Sequence, residues 1–342
     1  MFANWKSAVY EYAHCRNQLE VDGETGKLGA IVRDGRFVRR LDDRIRRVQA
    51  SRKARRAEPL RCETGLKVRN VEESDQGATI WLESRRSTEY GQSGHTYREE
   101  RVEQEKITLL QQDGRWAIAG VKPVVTERLP SLTPTPLFIH EETEPTRESA
   151  RSRSSAPYLN TRVLSGFQPP SLPRGRPYDR AKAQHYAETW WNKANPAYLH
   201  FEVDCTNFVS QCLFAGGAPM NYTGKRESGW WYEGQDGSRE LWSYSWAVAH
   251  SLQSYLTASK GGLHAELVQA PELLSIGDVV CYDWDGDGRF QHNAIVTGFD
   301  AASMPLVNAH TTDSRMRYWD YRDSYAWTPN TRYRFFHLAD YF

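Results

Sequence analysis

The sequence has few cysteines and no long apolar run. Its 342 residues contain five cysteines, widely spaced and without a Cys-x-x-Cys pair: Cys15, Cys62, Cys205, Cys212 and Cys281. This spacing gives neither a zinc site nor a disulfide framework, so the cysteines are expected to be reduced thiols. No stretch approaches the roughly 18 consecutive apolar residues that a membrane span requires. Any cysteine with a role is therefore expected to act as a nucleophile.

A secretory signal is also missing from the start of the sequence given. Residues 1–12 contain one lysine and no apolar segment. Together with the unpaired cysteines, this predicts a cytoplasmic protein, whereas association with the cell wall would require a leader upstream. No nucleic-acid partner is expected, and the sequence does not indicate an oligomeric state.

Charge and tryptophan content divide the chain into two unlike parts. Residues 1–177 have an excess of Lys and Arg, whereas residues 178–342 have an excess of Asp and Glu and most of the 12 tryptophans. The end of the first part, residues 126–177, is rich in Pro, Ser and Arg and cannot bury enough apolar surface to order itself. We therefore predict a domain over 1–125, a linker over 126–177 and a second domain over 178–342.

Hydrophobic periodicity predicts helices and then strands in the first domain. Residues 1–57 have helical spacing, an extended segment begins at residue 66, and residues 78–82 alternate with polar neighbours. Residues 102–110 and 116–121 flank a turn that ends at Gly114. This order predicts a small helix-plus-antiparallel-sheet domain of the α+β class. No catalytic cluster is visible in it, so we expect a binding or spacing role.

One helical segment of the second domain has the features of a nucleophile site. Its apolar side chains fall on a single helical face: Cys205, Phe208, Val209, Cys212 and Leu213. Asp204 is a suitable N-cap and places Cys205 in the first turn, where free backbone N–H groups and the helix dipole favour a thiolate or an oxyanion. The alternative is that Cys205 is a buried apolar residue, as Cys212 is expected to be.

Two later segments could supply the base that a thiol nucleophile needs. His292 begins a predicted strand, and residues 305–310 form a second strand antiparallel to it across the turn at 299–304. On such a hairpin, Asn308 or His310 can lie beside His292 and orient its imidazole. A lone histidine is usually structural, but a cysteine at a helix start followed by a histidine at a strand start makes that interpretation much weaker.

These motifs resemble those of known cysteine hydrolases. Asp204-Cys-Thr-Asn-Phe-Val209 is similar to the Asp-Cys-Ser-Gly-Phe-Val signature of NlpC-type cell-wall peptidases. Gly277-Asp278-Val-Val, followed by His292, matches their second block and that of the CHAP amidases. The blocks over about 178–338 are closer still to the putative amidase domain family: Tyr178-Asp179, Trp190-Trp191-Asn192, Gly229-Trp230-Trp231, Tyr282-Asp-Trp-Asp-Gly-Asp-Gly288 and Asn308-Ala-His310-Thr311.

The resemblance implies a fold and a set of catalytic roles. The second domain is expected to be papain-like, with a nucleophile helix packed on an antiparallel sheet. Cys205 would be the nucleophile and His292 the base, and strand alignment places the orienting residue at Asn308, with His310 as its rival. The expected partner is an amide-containing peptide or a peptidoglycan-type substrate.

The resemblance leaves the second oxyanion donor open. Papain carries a glutamine before its cysteine, but Leu199 stands at that spacing here, so Tyr198 or Asn195 would have to substitute. Two other functions use the same fold. One is an acyltransferase, and the other is a non-catalytic module that binds glycan or peptide through its aromatic side chains. Candidate substrate-binding residues are Trp230, Trp231, Trp284 and Tyr198.

An acidic loop precedes His292. Asp283, Asp285 and Asp287 reproduce the first half of a calcium loop, but Ala294 occupies the position of its bidentate glutamate. The loop therefore predicts either a structural Ca²⁺ or a polar turn. No cofactor is required by the chemistry expected here.

Overall fold

Helices precede long strands in the first part of the chain. The computed structural model describes residues 2, 4–112, 114–128, 175–237 and 239–342. Its first elements are α1 (Trp5–Asp22), α2 (Gly26–Ile31), α3 (Gly35–Ala54), β1 (Glu58–Ser74), β2 (Gly77–Gln92), β3 (His95–Gln112) and β4 (Arg115–Pro123). The predicted order of helices and then an antiparallel meander is confirmed. Most of the predicted linker, 129–174, lies outside the described residues.

Short helices and strands make up the second part of the chain. They follow a 3₁₀ turn at Thr126–Arg128 and are α4 (Arg180–Trp190), α5 (Cys205–Ala215), β5 (Tyr232–Asp236), β6 (Arg239–Trp242), α6 (Tyr244–Ala247), α7 (Ala249–Ala258), β7 (Ala265–Val268), β8 (Val279–Asp283), β9 (His292–Phe299), β10 (Pro305–Ala309), β11 (Ser314–Tyr318) and β12 (Arg332–Leu338). The α5 helix begins directly after Asp204, where the sequence predicted its N-cap, and α4 begins directly after Asp179.

An antiparallel sheet of ten strands runs through both parts. In the described residues its order is β1-β2-β3-β11-β10-β9-β8-β12-β7, and β4 pairs with another stretch of β3. The junction is the pairing of β3 with β11, in which Ser314 lies opposite Arg101. The α+β class is therefore confirmed. None of the helices in the described ranges has the length and apolar character needed to cross a membrane.

The strands β8, β9 and β10 have two differently covered faces. Helix α5 packs on the first, which we call the helix face, and buries Val209 and Leu213 against Val279 and Ile295. The opposite face, which we call the aromatic face, consists of alternate residues of the same strands packed against a tyrosine: Val280, Tyr282, Ala294, Val296, Val307 and Tyr321. A side chain on one face cannot contact a side chain on the other, because successive residues of a strand point to opposite sides.

A one-residue bulge in β9 decides which residues share a face. Leu306 pairs with Gly298, but the next residue, Val307, pairs with Val296, so that Thr297 is the extra residue. Such an insertion shifts the register by one and moves the following side chains to the other face. Asn308 consequently lies opposite Ile295, on the helix face.

Candidate active site

The start of α5 places Cys205 in the first helical turn, as the sequence predicted. Asp204 occupies the N-cap position, but its carboxylate does not bond the first-turn N–H groups. Its Oδ1 instead accepts from the backbone N–H of Phe201 and from the amide of Asn207. The first turn is therefore held by contacts other than a side-chain cap.

Thr311 supplies the oxygen that this helix start binds. The backbone N–H groups of Asp204 and Cys205 both donate to Thr311 Oγ1, each at 3.0 Å. Neither Tyr198 nor Asn195 takes part. The centroid of the Tyr198 ring lies 5.2 Å from that of Tyr232, and the Asn195 amide donates to the Tyr186 hydroxyl. The pair of donors next to the cysteine is thus made by two consecutive backbone N–H groups.

The Cys205 thiol is completely buried. Its exposed fraction is 0%, and the hydroxyl of Thr206 is 3.7 Å from Sγ. Burial raises the pKa of the thiol, although the Asn293 backbone N–H and the hydroxyls of Thr206 and Thr311 lower it in part. The expected thiolate is therefore not favoured in this conformation, because loss of solvation outweighs the donors at the helix start.

His292 is the first residue of β9, and its side chain lies on the aromatic face. Its ring is surrounded by those of Tyr282, Trp284 and Tyr321, with centroids 5.4, 5.9 and 5.3 Å away. Nε2 is 3.4 Å from the Tyr321 hydroxyl, and Nδ1 has no hydrogen-bond partner in the described residues. Burial lowers the pKa of His292 to about 4. The predicted contact between His292 and Cys205 is thus not formed here, and the catalytic role of His292 stays a prediction.

Asn308 is bonded to four other groups and does not contact His292. Its Oδ1 accepts from the Thr297 hydroxyl and from the Met316 N–H, both at 2.8 Å. Its Nδ2 donates to Glu188 at 2.8 Å and, more weakly, to the Ala187 carbonyl. The expectation that Asn308 lies beside His292 is wrong, because the bulge at Thr297 turns the two side chains to opposite faces.

His310 lies on the helix face with α5. Its ring stacks on Phe208 at a centroid distance of 4.0 Å, Nδ1 is 2.7 Å from Asp204 Oδ2, and Nε2 is 2.7 Å from the Trp190 carbonyl oxygen. Both partners are acceptors, so these two bonds favour the protonated ring. Burial alone would lower the pKa of His310, but Asp204, Asp313 and the Trp190 carbonyl raise it.

The predicted aromatic binding surface is buried. The exposed fractions of Trp230, Trp231 and Trp284 are 0%, 2% and 0%, and their indole N–H groups bond to oxygens inside the fold. Tyr198 is half-buried and packs against the same core. The three tryptophans therefore build the core and do not form a rim for sugar or peptide, which corrects that expectation.

The acidic loop is held by the chain itself. The carboxylate of Asp283 accepts from the backbone N–H groups of Gly286 and Gly288, both at 2.8 Å. Asp285 forms an ion pair with Arg128, and Asp287 accepts from a neighbouring backbone N–H. In the part of the chain that the structure describes, no three His, Cys, Asp or Glu side chains are placed to hold a metal ion. The loop thus has the geometry of the polar turn and does not bring the three carboxylates together as ligands.

A polar cavity of about 380 Å³ opens beside the start of α5. One wall comes from the strands of the first part and includes Arg69, Glu83 and Gln104. The other side comes from the second part and consists mainly of titratable and hydroxyl side chains: His200, Glu202, Asp204, His310, Thr311, Thr312 and Asp313. Burial and the charge of Asp204 raise the pKa of Asp313. The cavity therefore places carboxyl and imidazole groups next to the two convergent N–H groups.

Residues 177–336 match the family model of the putative amidase domain. This match indicates an amidase-type hydrolase domain in the second part of the chain. The amidase-domain match includes α5, the histidines and Thr311, whereas Arg69, Glu83 and Gln104 lie outside it.

Two curated relatives from Bacillus subtilis (strain 168) carry similar sequences. Uncharacterized protein YhbB is 58% identical over 163 residues, which are 48% of this chain and 51% of that protein. Uncharacterized protein YjcM is 30% identical over 145 residues, or 40% of this chain and 31% of that protein. The chain thus spans about half of the first relative and under a third of the second. No solved structure matches the chain.

Sequence reasoning assigned no role to Thr311 or Asn293. Thr311 directly follows His310, and Asn293 directly follows His292. Asn293 points toward α5, where its amide donates to the Thr206 hydroxyl at 3.0 Å. The block Asn308-Ala-His310-Thr311 contained the relevant threonine, but its hydroxyl meets α5 only through contacts more than 100 positions apart. Such contacts depend on the register of the sheet and not on local spacing.

Proposed function

We propose that this chain is a cysteine-dependent hydrolase of amide bonds with Cys205 as its nucleophile. The amidase-domain match over 177–336 supports the reaction class. The observation that carries the assignment to Cys205 is the convergence of two backbone N–H groups on one oxygen beside the thiol. Donors in this arrangement stabilise the oxyanion that forms when an acyl carbon becomes tetrahedral.

The proposed reaction has two stages. The Cys205 thiol gives its proton to a histidine, and the sulfur forms a bond to the substrate carbonyl carbon. The carbon–nitrogen bond then breaks, and the histidine returns the proton to the leaving amine. Water cleaves the resulting thioester, which releases the carboxylic acid and restores the thiol. The papain-like classification belongs to this proposal.

We assign the histidine of this mechanism to His310 in preference to His292. To accept the thiol proton, His310 Nε2 first releases to solvent the proton that it donates to the Trp190 carbonyl oxygen in this conformation. His310 lines the cavity, lies on the same sheet face as α5 and is bonded to Asp204, which directly precedes the nucleophile. The ring of His292 is instead enclosed by aromatic side chains on the other face. Asn308 then acts as a link between β10 and its neighbours. The alternative, which the family resemblance implies, has His292 as the base and Asn308 as the orienting residue. The experiment must distinguish the two assignments.

The cavity supports a small, polar substrate. A volume of about 380 Å³ between charged walls suits a short peptide or an amino-acid conjugate. Cell-wall peptides are one source of such amides, and the family resemblance favours them. The substrate class is therefore an amide-linked amino acid or short peptide.

The test uses four single substitutions in the full chain. Release of primary amine from short peptides and from peptidoglycan fragments is measured for Cys205→Ala, His310→Gln, His292→Gln and, as a matched control, Cys212→Ala. We expect Cys205→Ala and His310→Gln each to lower kcat/KM by about 10³-fold or more, because a nucleophile and its base act as a unit. The Cys212→Ala and His292→Gln variants should keep activity within about tenfold of the native chain.

Each assignment can fail separately. Native activity in Cys205→Ala would remove the cysteine mechanism. Loss of activity in His292→Gln, with His310→Gln active and both variants folded, would return the base to His292.

A further inference from the structure

Thr311 has a backbone conformation that its side chain disfavours. Its φ is +85°, in the left-handed region that β-branched residues rarely adopt. Such a conformation persists only where the surrounding contacts hold it, and it is most often found at functional sites. The contacts around Thr311 therefore hold its backbone in a strained conformation.

The Thr311 hydroxyl occupies the position that a substrate oxygen would need. Oγ1 accepts from both N–H groups, those of Asp204 and Cys205, that the proposed mechanism uses for the oxyanion. Thr311 also lines the cavity, whereas Cys205 does not and is completely buried. The threonine therefore lies between the cavity and the thiol.

A second contact holds Thr311 from the end of the first part. The Thr126 hydroxyl donates to the Thr311 carbonyl oxygen at 2.7 Å. The next residue, Glu127, is anchored by an ion pair of 2.8 Å to Arg317, and its carbonyl accepts from the Trp284 indole N–H. The segment that carries Thr126 is thus fixed firmly enough to constrain the Thr311 backbone.

We propose that Thr311 is a positioning residue that closes the oxyanion position and covers Cys205 until a substrate carbonyl displaces its hydroxyl. Three features support this: the two accepted N–H bonds, the backbone strain and the location between cavity and thiol. When a substrate oxygen takes the two N–H groups, the hydroxyl is free to leave and the strain at φ +85° can relax. The inference rests on the proposed function, because it names the residue that controls access to that nucleophile.

The experiment measures alkylation of individual cysteines and needs no substrate. The native chain and its variants are treated with iodoacetamide, and labelling of Cys205 and Cys212 is followed by peptide mass spectrometry. Cys212 is also completely buried on α5 and reports loss of the fold. Thr311→Ala removes the hydroxyl, and Thr311→Ser keeps it as the matched control.

We expect Thr311→Ala to label Cys205 about tenfold faster or more than the native chain, because two hydrogen bonds that favour the closed state are lost. Labelling of Cys212 should remain slow. Thr311→Ser, which restores the acceptor, should return the Cys205 rate to within about threefold of native. Equal Cys205 rates in the native chain and in Thr311→Ala would overturn the proposal.

A second variant leaves Thr311 in place. Thr126→Val removes the donor to the Thr311 carbonyl and should accelerate Cys205 labelling several-fold, whereas Thr223→Val in a surface loop should not. If Thr311→Ala unfolds, so that Cys212 is labelled as well, the Thr126→Val result decides the question. An unchanged Cys205 rate in Thr126→Val would then overturn the proposal. Because labelling does not require amide cleavage, these results are independent of the activity test.

Discussion

His292 and His310 begin from the same ordinary pKa, and their surroundings move it in opposite directions. Burial lowers the pKa of His292 to about 4, since its neighbours are aromatic rings and Nδ1 lacks a partner in the described residues. Burial acts on His310 as well, but its hydrogen bonds to Asp204 and to the Trp190 carbonyl, together with the nearby Asp313 carboxyl, raise its pKa. The surroundings of His310 therefore favour the protonated ring, whereas those of His292 favour the neutral ring.

Replacing His292 by phenylalanine should change how stability depends on pH. Between pH 4 and 6.5 the unfolded chain binds a proton at this residue that the folded chain does not, so the native free energy of unfolding falls as pH falls. The full effect is about 3 kcal/mol over that window. In His292→Phe this contribution should disappear, and urea unfolding at several pH values would show a slope shallower by about one proton. A slope equal to that of the native chain would mean that His292 is not buried as a neutral ring.

At the scale of single elements, the start of α5 and the positions of the neighbouring strands along the chain follow from the sequence. Helical spacing and Asp204 located the start of α5, and alternation located the strands around it. The bulge at Thr297 could not be predicted, because its residues alternate as a regular strand would and only pairing with β10 shows the insertion. That single residue decides whether Asn308 faces His292 or α5. The sequence therefore located the helix that carries Cys205 but placed the hairpin side chains on the wrong faces.

The structure makes Asn308 a link between four elements, and its loss should be visible as instability. Its amide joins β10 to β9, β11 and α4 and is completely buried. Asn308→Ala should lower the free energy of unfolding by about 2–4 kcal/mol, because partners in the core are left unsatisfied. Chemical denaturation gives the value, with the exposed Asn330→Ala as the control. A native-like stability for Asn308→Ala, with reduced kcat, would instead favour a direct catalytic role.

At the scale of the whole molecule, buried ion pairs connect the two parts of the chain. Asp323 forms ion pairs with Arg101 of β3 and with Arg317 of β11, and all three side chains are at most 15% exposed. Within the first part, Arg44 Nη1 of α3 is 3.0 Å from Glu20 Oε1 of α1. These contacts lie next to the β3–β11 pairing that continues the sheet. The two parts therefore share both a sheet and a charge network.

Asp323→Asn should destabilise both parts of the chain together. Burial alone would raise the pKa of Asp323, but Arg317, Arg101 and Arg44 lower it, so the native carboxylate is charged. Its neutralisation removes one charged partner from each arginine, but Arg101 keeps Glu99 and Arg317 keeps Glu127, so the cost should be about 1–3 kcal/mol. Glu89→Gln, which breaks the exposed pair with Arg98, should leave the unfolding midpoint unchanged. Tryptophan fluorescence reports mainly the second part, and far-ultraviolet circular dichroism reports both. We expect the two signals to show one shared unfolding transition that moves to lower urea concentration in Asp323→Asn. Two separate transitions in the native chain would mean that the β3–β11 junction does not couple the parts.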